Sequence, residues 1–252
     1  YITDKLCGLS FRISPLSFYQ VNRSQAEKLY TIARDFAELK PDETLLDLYC
    51  GTGTIGLTMA DSVKRLYGVE IIPQAIEDAK INAEINNIKN AEFFCGDASL
   101  AAEKLAQQGI KADCIIIDPP RKGCDSTLIN TISEKFSPPR VIYISCDPAT
   151  LARDLKIFNE LGYSAFKVIP VDLFPRTGHV ETVVLLSKLK VDHHIEIELK
   201  MDELDLTAAE SKATYDEIKA YVLNKYGLKV SQLYIAQIKR KCGIIERKNY
   251  NV

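Results

Sequence analysis

The run VIYISCDPATLARD, residues 141–154, carries a strand-like apolar stretch up to a thiol, Cys146, and follows it with Asp-Pro and a helical pattern. A buried cysteine ordinarily serves as a small hydrophobe. At the carboxyl edge of a strand in an α/β sheet, where such sheets bind ligands, the same thiol is placed to be a nucleophile. Two carboxylates close apolar runs in the same way, Glu70 in RLYGVE and Asp118 in ADCIIID. A third, Glu181, enters the last apolar run beside His179. A thiolate adds to an electron-poor carbon, and a carboxylate beside it removes a proton from the adduct. In LLDLYCGTGTIG, residues 45–56, Gly51, Gly53 and Gly56 fit G-x-G-x-x-G. Such glycines let backbone approach a ligand closely at a helix start. Glu70 ends the following strand, where the acidic residue of nucleotide folds accepts hydrogen bonds from ribose hydroxyls.

These groups need a sheet to position them. Residues 23–39 carry Ala26, Leu29, Ile32, Ala33 and Phe36 at helical spacing. Beyond them TLLDLY, RLYGVE, AEFFC, ADCIIID, RVIYIS and the region around AFKVIP read as six strands, with helical segments such as PQAIEDAKINAEINN between. Strand-helix alternation of this kind predicts a parallel sheet covered on both faces. HVETVVLLSKL follows with no room for a crossover helix, so it is expected to pair antiparallel. The expected fold class is α/β: a mostly parallel seven-stranded sheet with an antiparallel last strand, over residues 1–188.

The 252 residues suffice for one substantial core and a small appendage. Seven scattered cysteines without a CxxC pair argue against a zinc site or a secreted disulfide scaffold and favour a reducing cytoplasm. No metal is assigned. No run is apolar enough to span a membrane, and no signal peptide is visible. Tyr1 in first place reads as a fragment lacking its natural start. The net charge of −2 is not that of a nucleic-acid binder, but it conceals a polarity. Residues 211–252 hold nine Lys/Arg against three Asp/Glu, or +6, leaving −8 on the remainder. Residues 189–252 are expected to form an acidic linker and a basic helix-turn-helix-like appendage, with helices ending at Gly227 and Gly243. Lysines and arginines in such a tail suit phosphate contacts.

An acidic residue just before the glycine turn, Asp47, resembles S-adenosylmethionine-dependent methyltransferases more than NAD enzymes. The donor's ammonium group, unlike a pyrophosphate, welcomes a carboxylate. DPPR, residues 118–121, is similar to the (D/N)PP(Y/F) signature of amino-group methyltransferases, but Arg121 replaces the stacking aromatic and counts against N-methylation. Six ordered stretches carry a closer resemblance: FRISPLSFYQVN, LLDLYCGTGTIGL, GVEIIPQAIEDAKINAEIN, DPPRKGCD, ISCDPATLARDL and DLFPRTGHVETV. Together they resemble the catalytic domain of RNA 5-methyluridine methyltransferases of the RumA/TrmA type.

The resemblance implies a Rossmann-like class I S-adenosylmethionine methyltransferase fold and S-adenosyl-L-methionine as cofactor. It implies a structured RNA as partner, ribosomal RNA ahead of transfer RNA, and a cytoplasmic location. Gln20, Tyr49, Thr54, Glu70, Asp97 and Asp118 are implied to contact the cofactor or line its pocket, together with Gly51 and Gly53 of the glycine turn. Cys146 is implied as nucleophile and Glu181 as proton acceptor. The chemistry agrees: C5 of a pyrimidine becomes enolate-like, and able to take a methyl group, only after a thiolate adds at C6. Thr54 and Asp147 stand where relatives often have Asn. Neither the TRAM domain nor the four-cysteine cluster of some relatives is read within these 252 residues. Two other readings compete. DNA cytosine-C5 methyltransferases place their nucleophile in a Pro-Cys motif after the fourth strand, whereas Cys146 follows the fifth. Against a non-catalytic RNA-binding protein on the same fold, Cys146 and Glu181 are both present.

Overall fold

The computed structural model describes residues 1–188 apart from 16, 21, 178 and 179. The expected appendage over residues 189–252 and the expected neighbour of Glu181, His179, lie outside the described residues.

The chain opens with a hairpin that the sequence reading does not contain. Strands β1 (Ile2–Leu6) and β2 (Leu9–Ile13) pair antiparallel around Cys7 and Gly8, whose φ values are 49° and 82°. Two central residues at positive φ match the right-handed twist of the flanking strands. Here the first is a cysteine, which is not a turn signal.

Helix α1 (Arg23–Ala37) is capped by Asn22 and buries Ala26, Leu29, Tyr30, Ala33, Phe36 and Ala37. Ile32 lies only half-buried at the edge of that face. The main sheet comprises β3 (Thr44–Leu48), β4 (Arg65–Glu70), β5 (Ala91–Cys95), β6 (Cys114–Ile117), β7 (Arg140–Ser145), β8 (Tyr163–Val171) and β9 (Glu181–Lys188). Their order is β5-β4-β3-β6-β7-β9-β8. The pairs from β5 to β7 are parallel, and β9 runs antiparallel to both its neighbours. The expected seven strands and reversed last strand are therefore present. The chain steps outward from β3 to β5, then returns to add β6 on the other side of β3. Ligands of open α/β sheets bind beyond the strand ends at such a reversal.

Helices α2 (Thr54–Leu57) and α3 (Pro73–Ile85) lie with α1 and the hairpin on one face of the sheet. The other face is covered by α4 (Ala98–Gln107), α5 (Ser126–Asn130) with the wide turn that continues it to Phe136, and α6 (Pro148–Glu160). Strand residues alternate between the two cores: Leu45, Cys114, Ile144 and Val183 face α1, while Leu46, Ile115, Tyr143 and Val184 face α6. This two-sided burial explains the near-continuous apolar runs of the inner strands.

Candidate active site

Strand alternation places four chemically active groups on one face at one edge. Asp47 lies two residues beyond Leu45, Asp118 two beyond Ile116, Cys146 two beyond Ile144, and Glu181 two before Val183. All four therefore belong to the α1 side of the sheet. The β7–β9 ladder brings the last two together. It ends with Ser145 opposite Thr182, so Cys146 and Glu181 are the next residues on adjacent strands.

Their electrostatics confirm the grouping. Burial pushes the Glu181 carboxyl up to about 7, against a smaller downward pull from Arg121. Asp118 is held well above the carboxylate range by burial and then by the charges of Glu181 and Asp47. The Cys146 thiol is half-buried. It is raised by burial, by Glu181 and by Asp118, and lowered by Arg121. A thiol, two carboxylates and a guanidinium thus share one electrostatic site.

The glycine turn forms the second half of the site. Tyr49, Gly51 and Gly53 all have positive φ, 69°, 54° and 82°, so the chain coils tightly between β3 and α2. A side chain on Gly51 would meet nothing within 4 Å, which leaves the backbone there open to a ligand. Glu70 braces the turn: one oxygen accepts the Gly51 N–H at 3.1 Å and the other the Ile72 N–H at 2.9 Å. Each carboxylate oxygen retains lone-pair capacity for a further donor. Thr54 shares a 3.1 Å hydroxyl contact with Tyr30 of α1. Gly96 donates to the Glu70 carbonyl at 2.9 Å, tying Asp97 to this neighbourhood. Asp97 itself caps α4, one oxygen accepting from Ser99 and Leu100.

Asp47 does more structural work than its sequence position implied. Only 1% exposed, it accepts the Gly56 N–H at 2.9 Å and is pushed up to about 7 by burial. Gly56 has no room for a side chain, since a Cβ would stand 2.8 Å from that same oxygen. Among the described residues, three buried side-chain oxygens in this half of the protein have no protein partner: Asp47 Oδ1, Gln20 Oε1 and Thr52 Oγ1 of the glycine turn. Buried polar atoms are rarely left so, and a donor-rich ligand satisfies such atoms.

A brace behind the site went unread in the sequence. Asp154 of α6 is wholly buried on the same stripe as Leu151 and Phe158. It accepts the Cys124 N–H at 2.8 Å and the Tyr143 hydroxyl at 2.7 Å, and pairs with Arg153. Arg153 donates to the carbonyls of Lys122 and Cys124. The loop bearing Asp118 and Arg121 is thereby tied to the helix that follows Cys146. A carboxylate within an apolar helical stripe was the signal available. Arg121 was read only as the absence of an aromatic.

Residues 2–189 match the family model described as tRNA (uracil-5-)-methyltransferase. The chain belongs to this family. An uncharacterized RNA methyltransferase of Bacillus cereus is 52% identical over 190 residues, which cover 75% of this chain and 41% of that protein. A similarly named protein of Clostridium tetani is 50% identical over 186 residues, covering 74% and 40%. Among solved structures, the Pyrococcus abyssi tRNA (uracil-54, C5)-methyltransferase in complex with S-adenosyl-L-homocysteine is 34% identical with a TM-score of 0.61. That match covers 73% of this chain and 44% of the other. The chain spans about two fifths of the length of the curated relatives it matches. Within the uracil-5-methyltransferase family match lie both halves of the site, from Gln20 to Glu181. The fold is accordingly the Rossmann-like one of S-adenosylmethionine-dependent methyltransferases.

Proposed function

We propose that the chain is the catalytic part of an S-adenosylmethionine-dependent enzyme that methylates C5 of a uridine in structured RNA, ribosomal or transfer. The observation that carries this reading is the pairing of Cys146 and Glu181 at the end of one ladder, with Asp118 and Arg121 in the same electrostatic site. An ordinary core cysteine has no need of three ionisable neighbours.

The residues around the glycine turn fit the methyl donor. Glu70 has lone pairs for ribose hydroxyls, the Gly51 backbone is open, and Gln20 holds an unmet acceptor. Tyr49, Gly53, Thr54, Asp97 and Asp118 complete the proposed lining. When bound, the donor supplies an electrophilic methyl group. Deprotonated Cys146 forms a bond from Sγ to C6 of the uracil, and the C5–C6 electron pair becomes an enolate-like nucleophile at C5. Arg121 offsets part of the cost of holding negative charge at the thiol and at Glu181. Once C5 carries the methyl group, ionised Glu181 takes the C5 proton, the double bond re-forms, and the Cys146 thiolate leaves C6. A carboxyl pushed up to about 7 by burial is partly ionised and more basic than an ordinary carboxylate at neutral pH, which suits that step. The six cysteines among the described residues are free thiols, in keeping with the reducing cytoplasm we assign.

Incubation of the chain with labelled donor and ribosomal RNA, transfer RNA or duplex DNA tests the reading. Label is expected in 5-methyluridine of one RNA. Label in DNA cytosine, or in no nucleic acid, overturns it.

A further inference from the structure

Helix α3 lies beside the outer edge of β2 and treats it as a neighbouring strand would. Asn86 accepts the Ser10 N–H at 2.9 Å and donates to the Ser10 carbonyl at 2.7 Å. One turn earlier, Asn82 accepts the Arg12 N–H at 2.6 Å and donates to the Arg12 carbonyl at 3.1 Å. One turn earlier again, Asp78 accepts the Ser14 N–H at 2.8 Å and the hydroxyls of Ser14 and Ser17 at 2.9 and 3.1 Å. The spacings explain the match. Four helical residues advance about 6 Å and two strand residues about 6.6 Å, so rungs at i, i+4 and i+8 meet alternate residues of the strand. Asp78 and Asn82 are wholly buried, which makes each of these bonds costly to lose.

Asn82 has one more bond than a rung requires. Its amide also donates to the Thr52 carbonyl at 3.0 Å, between Gly51 and Gly53 of the turn. Beyond the ladder, the chain runs from Ser14 and Ser17 directly to Gln20. One buried amide therefore holds both the glycine turn and the strand that leads to the Gln20 segment. We infer that Asn82 is a positioning residue that sets the glycine turn and the end of β2 at Arg12 at fixed separation, so that binding of the methyl donor at the turn is coupled to the order of that strand end. The inference rests on the donor site proposed above.

The control is built into the ladder. Asn86 makes the same kind of rung but has no bond to the turn. Asn82→Ala is expected to weaken S-adenosylhomocysteine binding by about tenfold or more, the loss of one well-made buried hydrogen bond. Asn86→Ala should change it by less than about twofold, though it too removes a rung. Calorimetry on both variants of the full chain, at a temperature where circular dichroism shows each folded, measures the difference. Equal affinities in the two variants overturn the inference while leaving the donor site standing; a wild type that binds no S-adenosylhomocysteine removes both. Amide exchange in the wild type needs no variant. Donor analogue should slow exchange of the Arg12 N–H, held by Asn82, more than that of the Ser10 N–H, held by Asn86. Equal protection at the two amides contradicts the coupling.

Discussion

Cys146 and Glu181 occupy the first positions beyond the last β7–β9 pair, Ser145 opposite Thr182. Neighbours directly across an antiparallel pair stand about 4.5–5.5 Å apart at Cβ. In the function proposed above, this edge is where the thiol would meet C6 of the base and the carboxylate its C5 proton. The reversed last strand has a chemical consequence: it brings its own N-terminal residue back to the carboxyl edge of its neighbour.

Glu181→Gln should allow addition and methyl transfer but stall elimination, because an amide does not take the C5 proton. A methylated covalent protein–RNA adduct should accumulate and be visible as a shifted band in denaturing gels. Wild-type turnover in this variant would assign the proton to another group.

The same carboxyl ties activity to pH and to stability. Glu181 must be ionised to act as base, so turnover should rise as pH passes through about 7. The sign for stability is opposite. A carboxyl raised from its ordinary range in the folded state binds a proton that the unfolded chain has already lost, so its contribution falls as pH rises from the unfolded value through about 7. Glu181→Gln should therefore stabilise the fold at pH 8 by up to about 3 kcal/mol and leave it nearly unchanged at pH 4. Denaturant melts at the two pH values check this, and equal effects at both would refute it.

Glu70→Ala should weaken donor binding by about 1.5–3 kcal/mol through lost charge-assisted hydrogen bonds. It also releases the Gly51 and Ile72 N–H groups, so the turn itself should loosen. Unchanged affinity for S-adenosylhomocysteine by calorimetry would remove Glu70 from the donor site.

Gly123→Ala should damage catalysis from behind the site. Gly123 has φ +73°, and an added Cβ would stand 2.5 Å from Asp154 Oδ2 and 2.6 Å from Arg153 Nη2. We expect a loss of roughly 2–4 kcal/mol in stability, with turnover falling further than donor affinity as Asp118 and Arg121 shift. A variant with wild-type melting and turnover would show that the loop does not depend on this brace.

Much of this was legible because burial and alternation leave strong traces. RLYGVE and RVIYIS are strands to the residue, and the crossover-free connection before HVETVVLL foretold the antiparallel β9. Cys146, Glu181 and Asp118 share an edge because strand ends in one sheet must. What escaped the sequence is the part made by partners distant along the chain. The β1–β2 hairpin turns on Cys7 and Gly8, and its outer edge is satisfied by asparagine side chains about 70 residues later, which no local pattern reveals. Asp47 was read as facing a ligand, yet one of its oxygens is committed to Gly56. Asp154 and Arg153 act on the 122–124 loop, about 30 residues away along the chain, and no local pattern ties them to it.

The central claim is that Cys146 forms the covalent bond to the base. RNA carrying 5-fluorouridine tests it most directly, since fluorine at C5 blocks the final proton removal and traps the adduct. Incubated with donor, the wild-type chain should form a complex that survives denaturation, with the modified peptide containing Cys146. Cys146→Ala should form none while binding S-adenosylhomocysteine normally. A denaturation-stable complex in Cys146→Ala, or its absence in a wild type that methylates uridine, would contradict the account.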